Sequence, residues 1–249
     1  MASLNVDCKV NETTTGNRTV PLKIIGLGLS RTGTSSLRQV LLNLGYHDCY
    51  HFETLVHESR QNASMWMQAL EAKFENRGTP FTKHHWDQIL GNCMALTDTP
   101  CTIFYRELLE AYPDAKVILT IRDKLQQWHR SIMDTIVPSI LHHNGAESSL
   151  TIRFRRFFLP RTPFDRVKEL MLKHYGMLRT LVDDHVNGTH NGVKWYEDYV
   201  EKVKSIVPEE DLLVFNVTQS WSPLCAFLGE KVPEGGFPRV NSTDEFWKH

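Results

Sequence analysis

Short apolar runs alternate along the chain with stretches whose apolar residues recur every three or four positions. Leu22-Lys-Ile-Ile-Gly-Leu-Gly28 predicts a short buried strand. Thr34 to Leu44 predicts a helix, because Leu37, Val40, Leu41 and Leu44 share one face and Gly45 stands where a C-terminal cap belongs. Helical spacing then covers roughly residues 51–75, ahead of a polar connection to Lys83. Cys93-Met-Ala-Leu-Thr97 is a brief apolar run closed by Asp98-Thr99-Pro100, with a helix predicted from Cys101 to Ala111. Lys116-Val-Ile-Leu-Thr-Ile121 is the clearest buried strand, and it runs into a helix from Lys124 towards Ile136. Residues 142–162, with their glycine, serines and Pro160, read as a loop. A long amphipathic helix is predicted from Phe164 to Val186, with Val167, Leu170, Met171, His174, Leu178 and Leu181 on one face. Further helices are expected at Tyr196–Val207 and Pro223–Leu228, and a last strand at Leu212–Phe215.

Strands separated by helices predict an α/β fold in three layers, with helices on both faces of a central parallel sheet. Ligands then belong at the C-terminal ends of the strands. Residues 1–20 are polar and rich in threonine and asparagine, and read as a loose arm, leaving 21–249 as one domain without internal repeats. A formal net charge of −1 gives bulk electrostatics no hold on nucleic acid or an anionic membrane, so neither is expected as a partner. No apolar run reaches the roughly 20 residues of a membrane span, and the first residues lack an apolar signal core. Five cysteines with no C-x-x-C pair argue against a disulfide framework or zinc site and fit a reducing, cytoplasmic compartment. Six N-x-[ST] sequons pull the other way, yet Asn216 ends the apolar run Leu212–Phe215, a poor seat for a glycan. Twelve histidines include the adjacent pairs His84-His85 and His142-His143, whose side chains diverge; no H-E-x-x-H occurs, so no metal is expected.

The chemistry begins at Gly28-Leu-Ser-Arg-Thr-Gly33-Thr34-Ser35, set between the first strand and the first helix. Glycines there let successive backbone N–H groups converge on an anion, and the helix N-terminus adds its partial positive charge. The spacing matches G-x-x-x-x-G-K-[ST], as in the P-loop NTPase fold, except that Thr34 replaces the lysine and Arg31 supplies a cation inside the loop. An ATPase or GTPase wants that lysine on its β/γ-phosphates.

The relocated cation, followed by Thr32-Gly33-Thr34-Ser35, resembles the 5′-phosphosulfate loop of sulfotransferases that use 3′-phosphoadenosine 5′-phosphosulfate (PAPS). The wider pattern is similar to a family of small sulfotransferase-like proteins common in fungi, bacteria and invertebrates. It comprises Gly-Leu-Gly-x-x-Arg-Thr-Gly-Thr-x-Ser-Leu, then Cys-Tyr-His, then Asp-x-Pro and Phe-Tyr-Arg-Glu-Leu-Leu-Glu-Ala-Tyr-Pro-Asp-Ala-Lys-Val-Ile-Leu-Thr-x-Arg-Asp. Trp221-Ser-Pro-Leu-Cys-Ala-Phe-Leu-Gly229 and Phe237-Pro-Arg-Val-Asn241 look like that family's end.

The resemblance implies roles for particular residues. Ser30, Arg31, Thr32, Gly33, Thr34 and Ser35 would hold the 5′-phosphate and sulfate, leaving 3′-phosphoadenosine 5′-phosphate (PAP) as product. Arg122 and Ser131 would bind the 3′-phosphate, although their spacing of nine is one longer than the family's usual eight; Arg239 is a further candidate. Arg31 can fork onto two oxygens but cannot donate a proton. For the base, relatives place a histidine in Thr-His-x-Pro, where this chain has Thr97-Asp98-Thr99-Pro100. Asp98 is therefore a candidate general base, or else an N-cap for the helix beginning near Pro100. Glu53 is the rival base, with His51, His84 and His85 behind it, or it is simply a first-turn helix carboxylate. Arg153-Phe-Arg-Arg-Phe-Phe-Leu-Pro-Arg161 is a candidate lid. Two other functions stay open: a small-molecule kinase using Mg-ATP, for which Asp123 is the strand-end acid, and a catalytically silent nucleotide-binding scaffold. The acceptor (small molecule or carbohydrate, through a hydroxyl or amine) and the oligomeric state have no signature in the sequence.

Overall fold

The computed structural model describes residues 18–57, 60–145 and 162–240. Five parallel strands form one sheet in the order β2-β3-β1-β4-β5. They are β1 (Ile24–Gly26), β2 (Cys49–Tyr50), β3 (Ala95–Leu96), β4 (Lys116–Thr120) and β5 (Leu212–Phe215). Alternate side chains leave opposite faces of a strand. Ile25, Leu27, Leu96, Val117 and Leu119 accordingly enter one apolar core, while Ile24, Ala95, Ile118 and Phe215 enter another.

Against the second core lie α1 (Thr34–Asn43), through Leu37, Val40 and Leu41, and α11 (Trp221–Leu228), through Trp221 and Leu224. The first core takes most of the other helices: α2 (Phe52–His57), α3 (Arg60–Glu75), α4 (Lys83–Leu90), α5 (Tyr105–Ala111), α6 (Leu125–Asp134) and α7 (Ile136–Gly145). It also takes α8 (Pro163–His174), α9 (Gly176–Asn187) and α10 (Asn191–Ile206). Trp66, Trp86 and Phe104 tilt together at its centre, with ring centroids 5.0–5.8 Å apart. The three layers expected from the alternation of strands and helices are present.

Four regions differ from the sequence-based expectation. β2, at two residues, is too short to show a period. The predicted helix over Phe164–Val186 breaks at Tyr175, which is extended (φ −76°, ψ 108°) between α8 and α9. Val167, Leu170 and Met171 before the break and Leu178 and Leu181 after it all reach one core, so the apolar period runs through the break unseen. The helical stretch predicted over residues 51–75 is two helices, α2 and α3, with residues 58–59 outside the described residues. α7 extends to Gly145, inside the predicted loop, and Thr162 at the loop's end caps α8; residues 146–161, including the basic run Arg153–Arg161, lie outside the described residues.

Candidate active site

β1 lies between β3 and β4, and the chain leaves β1 towards one edge of the sheet and β4 towards the other, so the strand ends open a crevice. The glycine loop fills it. Gly28 has no room for a side chain: a Cβ there would sit 1.7 Å from Thr120 Oγ1 at the end of β4. Gly33 caps α1 at φ +104°, a conformation suited to glycine, and Arg31 also turns left-handed at φ +69°.

Side chains from three other elements grip the loop's carbonyls. Trp128 Nε1 on α6 donates to Ser30 O at 3.0 Å, Tyr199 Oη on α10 to Leu27 O at 2.8 Å, and Arg122 Nε after β4 to Arg31 O at 3.2 Å. Thr32 Oγ1 donates to Leu29 O at 2.6 Å and so accepts from Thr120 Oγ1, also at 2.6 Å. With these carbonyls held, the N–H groups of Gly33 and Thr34 have no partner among the described residues. That donor set at a helix N-terminus fits an anion such as a phosphate or sulfate.

Two guanidinium groups meet at the same place. Arg31 Nε donates to Ser131 Oγ on α6 at 3.0 Å. Burial and then the charge of Arg122 depress the Arg31 pKa, against the opposing pull of Asp98. Arg31, Arg122 and Ser131 are thus brought together. Like charges crowded into a half-buried crevice favour a bound anion. Arg239 is exposed, on the segment whose Val240 N–H bonds Ser36 Oγ in the first turn of α1 at 3.2 Å.

Asp98 ends the run after β3, left-handed (φ 62°) and buried. Its Oδ1 accepts from Ser30 Oγ at 2.7 Å, and its Oδ2 lies 3.3 Å from His51 Nε2. His51, buried at the start of α2, receives the Glu53 backbone N–H on Nδ1 at 3.2 Å. A backbone amide can only donate, so the neutral ring carries its hydrogen on Nε2, which faces Thr34 Oγ1 at 3.2 Å. In this arrangement Nε2 offers no lone pair to a substrate. Glu53 is half-exposed, with its carboxylate 4.0 Å from His51 Nδ1 and 3.9 Å from Arg38.

A family model described as a sulfotransferase domain matches residues 23–246. The chain is also 35% identical over 224 residues to a protein of Aspergillus versicolor named Ava biosynthesis cluster protein M, covering 90% of this chain and 82% of the relative. The chain belongs to the sulfotransferase family. Membership makes it a transferase, built to move a sulfuryl group. In this sulfotransferase His85 serves α4 instead of the loop, its Nδ1 accepting the Thr82 N–H at 3.0 Å, and His84 is exposed. Asp123 is exposed as well. Among the described residues no three His, Cys, Asp or Glu side chains converge as a metal-holding group, and no helix is long and apolar enough to cross a membrane.

Sequence reasoning missed the residues that grip the loop from afar. Trp128 reads as core, and buried it is, but its indole N–H also fixes Ser30. Tyr199 acts across a separation of 172 positions, which no local pattern reveals.

Proposed function

We propose that the protein transfers a sulfuryl group from PAPS to a hydroxyl or amine of a small-molecule or carbohydrate acceptor, with Asp98 as general base. The observation that carries this reading is the contact of Asp98 with Ser30 and His51, which sets a carboxylate on the lip of the anion cradle. A biosynthesis-cluster relative agrees with a small acceptor. PAPS, when bound, supplies an activated sulfuryl group on a phosphate leaving group. Gly33, Thr34 and Ser35 hold the 5′-phosphosulfate through N–H and hydroxyl donors, and Arg31 steadies charge on the leaving oxygen. Arg122 and Ser131 address the 3′-phosphate. Asp98 takes the proton from the attacking hydroxyl as the new O–S bond forms and the old S–O bond breaks. His51 donates through Nε2 and so positions the base and Thr34 without taking the proton itself.

Calorimetric titration with PAP and ADP, without magnesium, tests the proposal. PAP should bind much more tightly, and Arg122→Ala should weaken PAP by about 1.5–3 kcal/mol and ADP by less, the smaller loss reflecting the grip of Arg122 on the loop that both ligands share. Equal affinities would remove the sulfotransferase assignment of the cofactor. Tight Mg-ATP binding would favour the kinase reading. PAP binding with no turnover on any acceptor, in a protein whose Arg31→Ala variant behaves identically, would favour the silent scaffold.

A further inference from the structure

Two tyrosines one turn apart on α10 use their hydroxyls in opposite directions. Tyr199 Oη donates to Leu27 O, whereas Tyr196 Oη, also buried, accepts the backbone N–H of Arg122 at 3.0 Å. The Tyr196 ring lies against Trp128, with centroids 4.5 Å apart. The ladder between β4 and β5 makes its last bond one residue earlier, from Ile121 N–H to Phe215 O at 2.9 Å. Tyr196 thus takes the next amide where the sheet has stopped. Arg122 is thereby tied twice, its N–H by Tyr196 and its Nε by Arg31 O at 3.2 Å. Its terminal nitrogens Nη1 and Nη2 make no hydrogen bond or salt bridge among the described residues, even though Asp123 follows directly in the chain. Those nitrogens are the prongs that fork onto a phosphate. A fork whose stem is already fixed gives up less side-chain freedom when it binds.

We propose that Tyr196 is the positioning residue of the 3′-phosphate subsite. By accepting the Arg122 N–H it fixes the peptide from which the guanidinium departs, and so presets the fork for the phosphate monoester that PAP carries and ADP lacks. This rests on Arg122 being the 3′-phosphate ligand of the proposed transfer. Tyr196 then acts on the choice between nucleotides, while Tyr199 on the same helix acts on the loop that every nucleotide would share.

Calorimetric titrations of PAP and ADP into wild type, Tyr196→Phe, Tyr199→Phe, Arg122→Ala and the Tyr196→Phe/Arg122→Ala double variant test this. Tyr196→Phe should weaken PAP about three- to tenfold, the span of one net hydrogen bond, and ADP by less than about twofold. Tyr199→Phe should weaken both by equal factors. With Arg122 already alanine, Tyr196→Phe should cost PAP less than about twofold, because the side chain it positions is gone. A PAP-to-ADP ratio that Tyr196→Phe leaves unchanged, whether both affinities hold or fall in parallel, would overturn the proposal. So would an effect of the same size in the double variant. Amide hydrogen exchange in wild type gives a reading that needs no variant to fold: the Arg122 N–H should be protected without ligand, and exchange at the rate of an exposed amide would also overturn it. A wild type that binds PAP no better than ADP would sink the parent reading and this one together. A wild type that prefers PAP, beside a Tyr196→Phe variant that prefers it equally, would remove Tyr196 alone.

Discussion

Among the described residues two aspartates are buried, each beside a histidine, and they are built to opposite ends. Asp184 on α9 accepts from Thr189 Oγ1 at 2.5 Å, Gly192 N at 2.7 Å, Asn191 N at 2.8 Å and His129 Nε2 at 3.1 Å. Burial would raise its pKa, but these donors hold it below the ordinary carboxylate value. Its lone pairs are used up in tying α9 to α6 and to the start of α10. Asp98 is met by one hydroxyl and the edge of one imidazole, with no backbone donor, so it keeps lone pairs to spare. A carboxylate has room for about four donors. One filled to that number is a strut, and one half-filled at the end of a parallel strand is available for chemistry.

The same isosteric change at both positions should separate these roles most sharply. Asp98→Asn is expected to lower turnover by about 10²–10⁴ in an assay of PAP release, the usual range for positioned proton transfer, with little change in melting temperature. Equal turnover would assign deprotonation elsewhere. Asp184→Asn should leave PAP affinity intact but turn an amide N–H towards the donors of Gly192 and Asn191. We expect a loss of about 2–4 kcal/mol in urea unfolding. The pH dependence has a definite sign. The stabilisation from Asp184 is complete above the ordinary carboxylate range and is lost as pH falls through the depressed folded value, so wild type should lose stability on acidification and Asp184→Asn should lose less. Glu53→Gln belongs last: its carboxylate is 45% exposed and reaches the site only through His51, so turnover should stay within about threefold. A large loss there would move the base to Glu53.

The readable part of this protein is what lies close together in sequence. Strand, loop and helix around Gly28–Ser35 announce an anion cradle because the turn chemistry is local, and Arg31 marks its departure from nucleotide hydrolysis. Asp98 is visible only through the Thr-x-x-Pro frame, and nothing in that frame tells a base from a helix cap. The fold brings Ser30 to it across 68 positions, the contact on which the proposal of a base rests. Asp184 did leave a local trace, since Thr189, Asn191 and Gly192 follow within eight residues in the manner of a side-chain-capped turn. Tyr175 left none: the apolar period passes straight through the corner it makes.

The grip on the loop's carbonyls has a consequence for anyone wishing to move this cradle to another protein. Arg122, Trp128 and Tyr199 reach it from beyond β4, from α6 and from α10, and Thr120 steadies it from the neighbouring strand. A grafted Leu27–Ser35 nonapeptide would arrive with four of its outside fastenings cut, leaving its amides free to swing away from one another. The portable unit is the loop together with those four distant side chains, and a recipient scaffold has to offer all of them from a parallel sheet of matching pitch.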